Sequence, residues 1–418
     1  MEKLKKWRLA SQLEWLALSL LVFCFFVLPI SVSFTTMSFL LAFLCTLLFL
    51  FISNEWQSRW ERLKHNQAAL SFWVLFALFL IGLLYTTSTA HLAFQDLQKR
   101  HWMLITPFLI IMIKDEIWRR RMFNGFLLAM VITLLLSCLK WLHVSSFYFL
   151  HKTPIHGSGI FNYHIVQNFA MSIAAFICGH RAFFEKKWRA FYFFLLITMG
   201  INIFLMSAGR TGYVIFFLLM IYLAVIKFKL KGLLASIFIS LLLMGTVYYI
   251  STNFHARIKA AYVNTINYDQ ATTKSDMNDI NQRIEMYVIA KKMILQHPWF
   301  GYGTGGIRTA LQKIIPPNER IFNPKIDYVE SIYLNFLLEF GVFGLIILIG
   351  VLLTQILITF KLPRDEKHIM QAFLIAILIG GVFNSFFVSY TISHFYSLFS
   401  VLCFSALPMK KLSGKQND

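Results

Sequence analysis

Residues 191–226 read FYFFLLITMGINIFLMSAGRTGYVIFFLLMIYLAVI, and Arg210 is the one charged residue among them. The run has room for two helices of about 20 apolar residues, each matched to a hydrocarbon layer of about 30 Å. Between them lies SAGRTG, residues 207–212, where two glycines and two hydroxyl side chains surround the arginine. A chain built this way satisfies its backbone inside helices, as a bilayer demands. The whole sequence agrees: 58% hydrophobic, 14% charged, 44 phenylalanines and a mean hydropathy of +0.65. Soluble domains carry about 25% charged residues.

Outward from this hairpin, the same test predicts an all-α polytopic membrane protein with about twelve transmembrane helices. They fall at 13–32, 36–53, 68–86, 102–113, 122–142, 162–180, 191–207, 211–227, 232–251, 332–360, 369–388 and 391–409. The fourth is short and leans on the amphipathic HLAFQDLQKRHW before it. The tenth holds Gly341 and Gly344, which predicts a break or tilt. MEKLKKWR followed by an apolar run has the look of a signal peptide. The run is too long and no small-x-small site follows, so it reads as an uncleaved first span. The cysteines Cys24, Cys45, Cys138, Cys178 and Cys403 sit inside apolar runs without metal or disulfide spacing, and read as packing residues.

Charge sets an expected orientation. Lys and Arg number 39 against 19 Asp and Glu, a net charge of +20. With the N-terminus in the cytoplasm, the inside segments are MEKLKKWR, SRWERLK, KDEIWRRR, HRAFFEKKWR, KFKLK, KLPRDEK and KKLSGK. Each carries three or four Lys or Arg, whereas the outside turns at 33–35 and 389–390 carry none. The positive-inside rule therefore accounts for the basic excess and puts both termini in the cytoplasm. No nucleic acid partner is needed. Three regions result: 1–251 with spans one to nine, a large periplasmic loop at 252–331, and 332–418 with spans ten to twelve and a cytoplasmic tail. Inside the loop, INQRIEMYVIAKKMILQ predicts an amphipathic helix, and HPWFGYGTGG ends it in a glycine-rich turn.

Few residues offer chemistry. Arg210 reads either as an arginine snorkelling to water on a tight turn or as an anion ligand in an outward-facing cavity. Arg283 on the loop helix is an exposed charge near Asp279 and Glu285, or a second anion ligand. Glu330, just before span ten, favours a helix N-terminus or carries a proton. His164 accompanies Asn162 and Gln167 at the outer end of span six, where polar groups entering a bundle are often functional. Trp299 and Tyr302 suit either sugar faces or an interfacial anchor. His297 and His255 are the loop histidines nearest to Glu330.

The order of these features is the informative part: an arginine in a tight outside turn, an arginine on a loop helix, HPWFGYGTGG, then a polar pair leading into YLNFLLEFGVFGL. This resembles the O-antigen ligase and polymerase superfamily of membrane glycosyltransferases. FFVLPISVSF, IGLLYTTSTAHLAFQDLQKRHWMLITPFLI and GIFNYHIVQNFAMSIAAFI look like the front half of its ligase branch. The resemblance implies that Arg210 and Arg283 hold the pyrophosphate of an undecaprenyl-linked glycan. The ligase motif runs His-Asn-x-x-Leu before Gly-x-x-Gly-Leu. Counting back from Gly341 and Gly344 puts Glu330 at the histidine position and Ser331 at the asparagine position, while Leu334 keeps the leucine. A glutamate can also accept a proton, and an acidic residue here looks more like the polymerase branch.

The resemblance therefore implies transfer of a polysaccharide from undecaprenyl pyrophosphate to lipid A-core, on the periplasmic side of a bacterial inner membrane. Polymerisation of repeat units is the alternative. Transfer to protein, or transport of the same glycan, are further ones; polar residues gathered at one face argue against transport. No cofactor is expected. With no DxD motif, no carboxylates paired at i, i+3 or i+4 on one helix face and no His/Cys cluster in the sequence, no metal is expected either, and direct attack would invert the anomeric carbon. No strand–glycine loop–helix unit for a nucleotide sugar is present.

Overall fold

In a computed structural model, the apolar runs become helices, and no strand occurs among the described residues. These are 2–142, 159–207, 209–250, 279–315 and 328–408, with a few positions between 255 and 266. The helices are α1 (Glu2–Val27), α2 (Val32–Ile52), α3 (Trp56–Lys64), α4 (Gln67–Leu83), α5 (Ala90–Lys99), α6 (His101–Met112), α7 (Glu116–Trp141), α8 (His164–Phe184) and α9 (Arg189–Ile201). A π-helical turn, Asn202–Met206, extends α9. There follow α10 (Arg210–Ile250), α11 (Asp279–Gln296), α12 (Gly306–Ile314), α13 (Ile332–Thr359), α14 (Arg364–Phe383) and α15 (Tyr390–Phe404).

Seven of these helices are long and apolar enough to cross a membrane, or eight if α3 and α4, bent by 80°, are taken as one span. The difference from twelve has local causes. α6 and α15 have 12 and 15 residues, short of the usual span. α8 carries His164, Gln167, Asn168 and His180 along its length. Expected spans eight and nine form one helical element broken at Lys229 (φ 54°, ψ −136°). The chain folds back sharply there, because a Cβ at Gly232 would overlap the carbonyl of Ala224.

Two helices lie at the centre. Every residue of α15 from Thr391 to Phe404 is buried, and so is every residue of α8 from Gln167 to His180. A helix buried on all faces is the core of a bundle. α14 packs against α8, α10, α13 and α15, and so joins both centres. The outer helices expose large apolar side chains such as Phe51, Leu230 and Leu241, as a surface facing lipid does.

The two ends of the bundle differ in chemistry. One gathers ion pairs. Arg59, 1% exposed, binds Glu14 and Glu55 at 2.9 Å each and donates to the carbonyls of Ile111 and Met112. Arg119 meets Glu366 at 2.9 Å, and His180 meets His368 at 2.9 Å. The other end holds the starts of α8, α10, α13 and α15 and the end of α14.

The expected break in α13 is present at Gly341 (φ 64°, ψ −160°), a conformation open to glycine alone. The break frees main-chain groups, and HPWFGYGTGG supplies their partners. Tyr302 and Gly303 N–H donate to the carbonyls of Leu338 and Glu339, both at 2.8 Å, while Val342 N–H donates to Pro298 O at 2.9 Å. Thr304 then donates from its hydroxyl to Phe79 O at 2.6 Å and from its N–H to Gly82 O at 3.2 Å. The turn after α11 thus sits as a plug between the end of α4 and the interrupted α13.

Candidate functional site

SAGRTG begins where the π-helical turn leaves α9. A π turn widens the helix and often marks a functional site. Ser207 is extended (φ −127°, ψ 147°), and its carbonyl accepts from the Tyr213 hydroxyl at 2.9 Å. Arg210 then opens α10 and is partly buried. A helix N-terminus points unpaired N–H groups and a positive dipole outward, which suits an anion.

The glycines of this turn press on α8. A Cβ at Gly209 would come within 2.6 Å of Asn168 Nδ2 and 3.4 Å of His164 Cδ2. A Cβ at Gly212 would overlap the Asn168 side chain. His164, the first residue of α8, therefore lies beside the Arg210 turn.

The decisive geometry is at the end of α14. Three consecutive residues there receive contacts from three distant segments. Arg283 donates to Phe383 O at 2.7 Å. Asn384 Nδ2 donates to the hydroxyl of Thr211, next to Arg210, at 3.0 Å. Ser385 approaches Glu330 Oε2 with its N–H at 3.4 Å and its hydroxyl at 3.5 Å. Three residues of extended chain span about 10 Å, so the Arg210 turn, Arg283 and Glu330 surround one corner. Arg283 also complements the negative C-terminal end of α14.

Glu330 is held from behind. Ser331 caps α13, accepting from Leu334 N–H at 3.4 Å. Asn335 Nδ2 donates to the carbonyls of Val329 and Ser331 at 2.6 and 2.7 Å, and its Oδ1 accepts from Val329 N–H at 2.8 Å. The Tyr287 hydroxyl donates to Glu330 O at 3.1 Å. That phenol is pushed above its usual pKa, first by burial; Arg283 pulls it down and Glu330 pushes it up. Tyr287 therefore lies within reach of both charges. Among the described residues, the carboxylate's hydrogen-bond contacts are the long ones to Ser385, as acid–base groups often have before substrate tightens them.

Other expected residues lie elsewhere. His297 is fourteen residues beyond Arg283 on the line of α11, about 20 Å along the helix axis, and its ring packs on Tyr302. It does not enter the Glu330 corner. The Tyr302 hydroxyl is engaged within the loop, donating toward Met293 O at 3.1 Å and Gln296 Oε1 at 3.0 Å. Tyr302 is 4% exposed, so it packs the plug rather than facing a sugar. Trp299 remains exposed beside Phe343. His255 stacks on Tyr248. The Ser331 hydroxyl serves the helix cap.

The sequence reading missed Asn384, Ser385 and Asn335. The first two fall inside the expected span 369–388, but α14 ends at Phe383 and leaves them in a turn. Their signal was a polar pair within an apolar run, beginning three residues after Gly381. Arg100 was also missed. Its guanidinium, 3% exposed, donates to Phe387 O in the same turn and pairs with Asp96 at 3.4 Å.

The family comparison converges on these segments. Residues 191–349 match the family model described as O-antigen ligase. This segment is similar to the O-antigen ligase family. It begins in α9, takes in Arg210, Arg283 and Glu330, and ends beyond the break at Gly341. The O-antigen ligase family is one of glycosyltransferase-like membrane enzymes that act on lipid-linked glycans, in ligase- or polymerase-type reactions. The superfamily resemblance drawn from the motifs therefore holds. The Asn168 helix and the Asn384–Ser385 turn lie outside the matched segment. No curated protein matches the chain.

Proposed function

We propose that this chain moves a polysaccharide from undecaprenyl pyrophosphate to lipid A-core at the periplasmic face of a bacterial inner membrane. The observation that carries the reading is the meeting of the Arg210 turn, Arg283 and Glu330 at Phe383–Ser385.

In this reaction the acceptor hydroxyl oxygen attacks the anomeric carbon, and the bond from that carbon to the diphosphate oxygen breaks. The electron pair leaves with the polyprenyl diphosphate, and the anomeric carbon inverts. Glu330 takes the hydroxyl proton. Arg210 and Arg283 stabilise the leaving charge; guanidinium groups stay protonated beside lipid and bind phosphate oxygens in pairs. The α10 N-terminus adds oriented N–H groups. With two guanidinium groups and a helix dipole on the leaving group, the transfer proceeds without a metal or cofactor. His164 borders the diphosphate side of this site. The chain crosses the membrane twelve times, with both termini in the cytoplasm and 252–331 on the periplasmic side.

Glu330 at the histidine position favours a second reading, polymerisation of repeat units by the same chemistry. Deletion followed by electrophoresis of cellular lipopolysaccharide separates the two. Loss of all long chains with carrier-linked polymer accumulating supports ligation. Core bearing a single repeat unit means polymerisation. Unchanged lipopolysaccharide rejects both.

A further inference from the structure

Asn168 is 0% exposed, and neither its Oδ1 nor its Nδ2 has a hydrogen-bond partner among the described residues. A buried carboxamide without partners destabilises a fold, and native structures rarely keep one without a use. Its position suggests the use. The carboxamide lies packed against the turn that opens α10, so close that a Cβ at Gly209 or Gly212 would meet Nδ2 at 2.6 or 3.0 Å. Ser207 Oγ, in the same turn, is also buried and unpartnered. On the far side, Asn384 ties Thr211 to the α14 corner. Donors thus collect around one helix N-terminus that begins with an arginine, while the glycines keep bulk away.

We infer that Asn168 is a ligand of the diphosphate leaving group, its Nδ2 donating to a phosphate oxygen seated at the α10 N-terminus. Ser207 Oγ is the neighbouring donor. This inference rests on the proposed function and adds a residue on α8, outside the family segment, to its binding site. A small shift of the turn admits the oxygen, since Gly209 and Gly212, the residues that press on the carboxamide, have no side chains of their own.

The test uses the full-length chain in lipid nanodiscs and inorganic pyrophosphate as the probe, with binding measured by calorimetry and folding by the thermal midpoint. Asn168→Leu keeps the side-chain shape and removes both orphaned atoms. It is expected to weaken pyrophosphate binding about 10- to 100-fold, the worth of one hydrogen bond to a charged group, with the thermal midpoint unchanged or raised. Asn168→Asp, the same shape with a negative charge, is expected to weaken it further. Binding equal to wild type in Asn168→Leu and Asn168→Asp, alongside loss in Arg210→Ala, overturns this inference and leaves the proposed function standing. Weaker binding that appears only with a fall in thermal midpoint in both Asn168 variants makes Asn168 a packing residue and also overturns it. Failure of the wild-type chain to bind pyrophosphate overturns the proposed function, and this inference with it.

Discussion

Asn335→Asp tests whether Glu330 is aimed by its neighbours. The amide makes three hydrogen bonds of 2.6 to 2.8 Å to the main chain at Val329 and Ser331, on either side of Glu330. Aspartate keeps the shape and the one acceptor but turns both donors into an oxygen facing two carbonyl oxygens. Each lost bond removes about 1 kcal/mol, and an unpaired buried group costs a further 1–3 kcal/mol or so. Asn335 is 6% exposed, so water does not replace the bonds. The local loss is therefore about 3–5 kcal/mol, concentrated in the turn that carries the carboxylate. Misplacing a reacting group by about 1 Å costs on the order of 100-fold in rate. Glycan transfer in isolated membranes is expected to fall by about that factor, with a lower thermal midpoint in detergent and normal insertion. Asn335→Asp transferring at the wild-type rate would refute the reasoning.

Arg210→Ala and Arg283→Ala are each expected to abolish transfer while protein levels in the membrane persist; full activity in either removes that arginine from the diphosphate site. Glu330→Gln is expected to lose about 100-fold or more in transfer rate, the range for a lost general base, and an unchanged rate dismisses it as proton acceptor. Glu330→His retaining transfer favours the ligase reading. Gly341→Ala puts a Cβ onto the Trp299 carbonyl in a backbone conformation reserved for glycine, and is expected to expose the loop to limited proteolysis; an unaltered digestion pattern counts against the plug.

The parts of the fold that follow local rules were legible. The loop helix, the turn after Pro298 and the break at Gly341 each depend on periodicity, proline and glycine, which act within a few residues. The KFKLK reversal was legible because three lysines interrupt two apolar runs. The α14 end was not, because a hydropathy window averages Asn384 and Ser385 with the phenylalanines around them. Asn335 hid for the same reason, inside YLNFLLEF. His297 was named for its nearness to Glu330 along the sequence, and that nearness is no guide to distance in space, because α11 carries His297 about 20 Å from Arg283 at the Glu330 corner. Asn168 sat in a quoted motif, but its lack of partners is a property of three dimensions alone.

The plug joins α13 mainly through main-chain atoms, and the Glu339 carboxylate, accepting from Gly305 N–H at 3.2 Å, and Phe343, packed on Trp299 and Phe300, add to that seam. Chimeras between relatives could therefore exchange acceptor preference only if the crossover points respect it. Trp299–Gly306 and Leu338–Phe343 would have to travel together as one cassette, because a splice between them leaves two halves of a hydrogen-bonded joint from different parents.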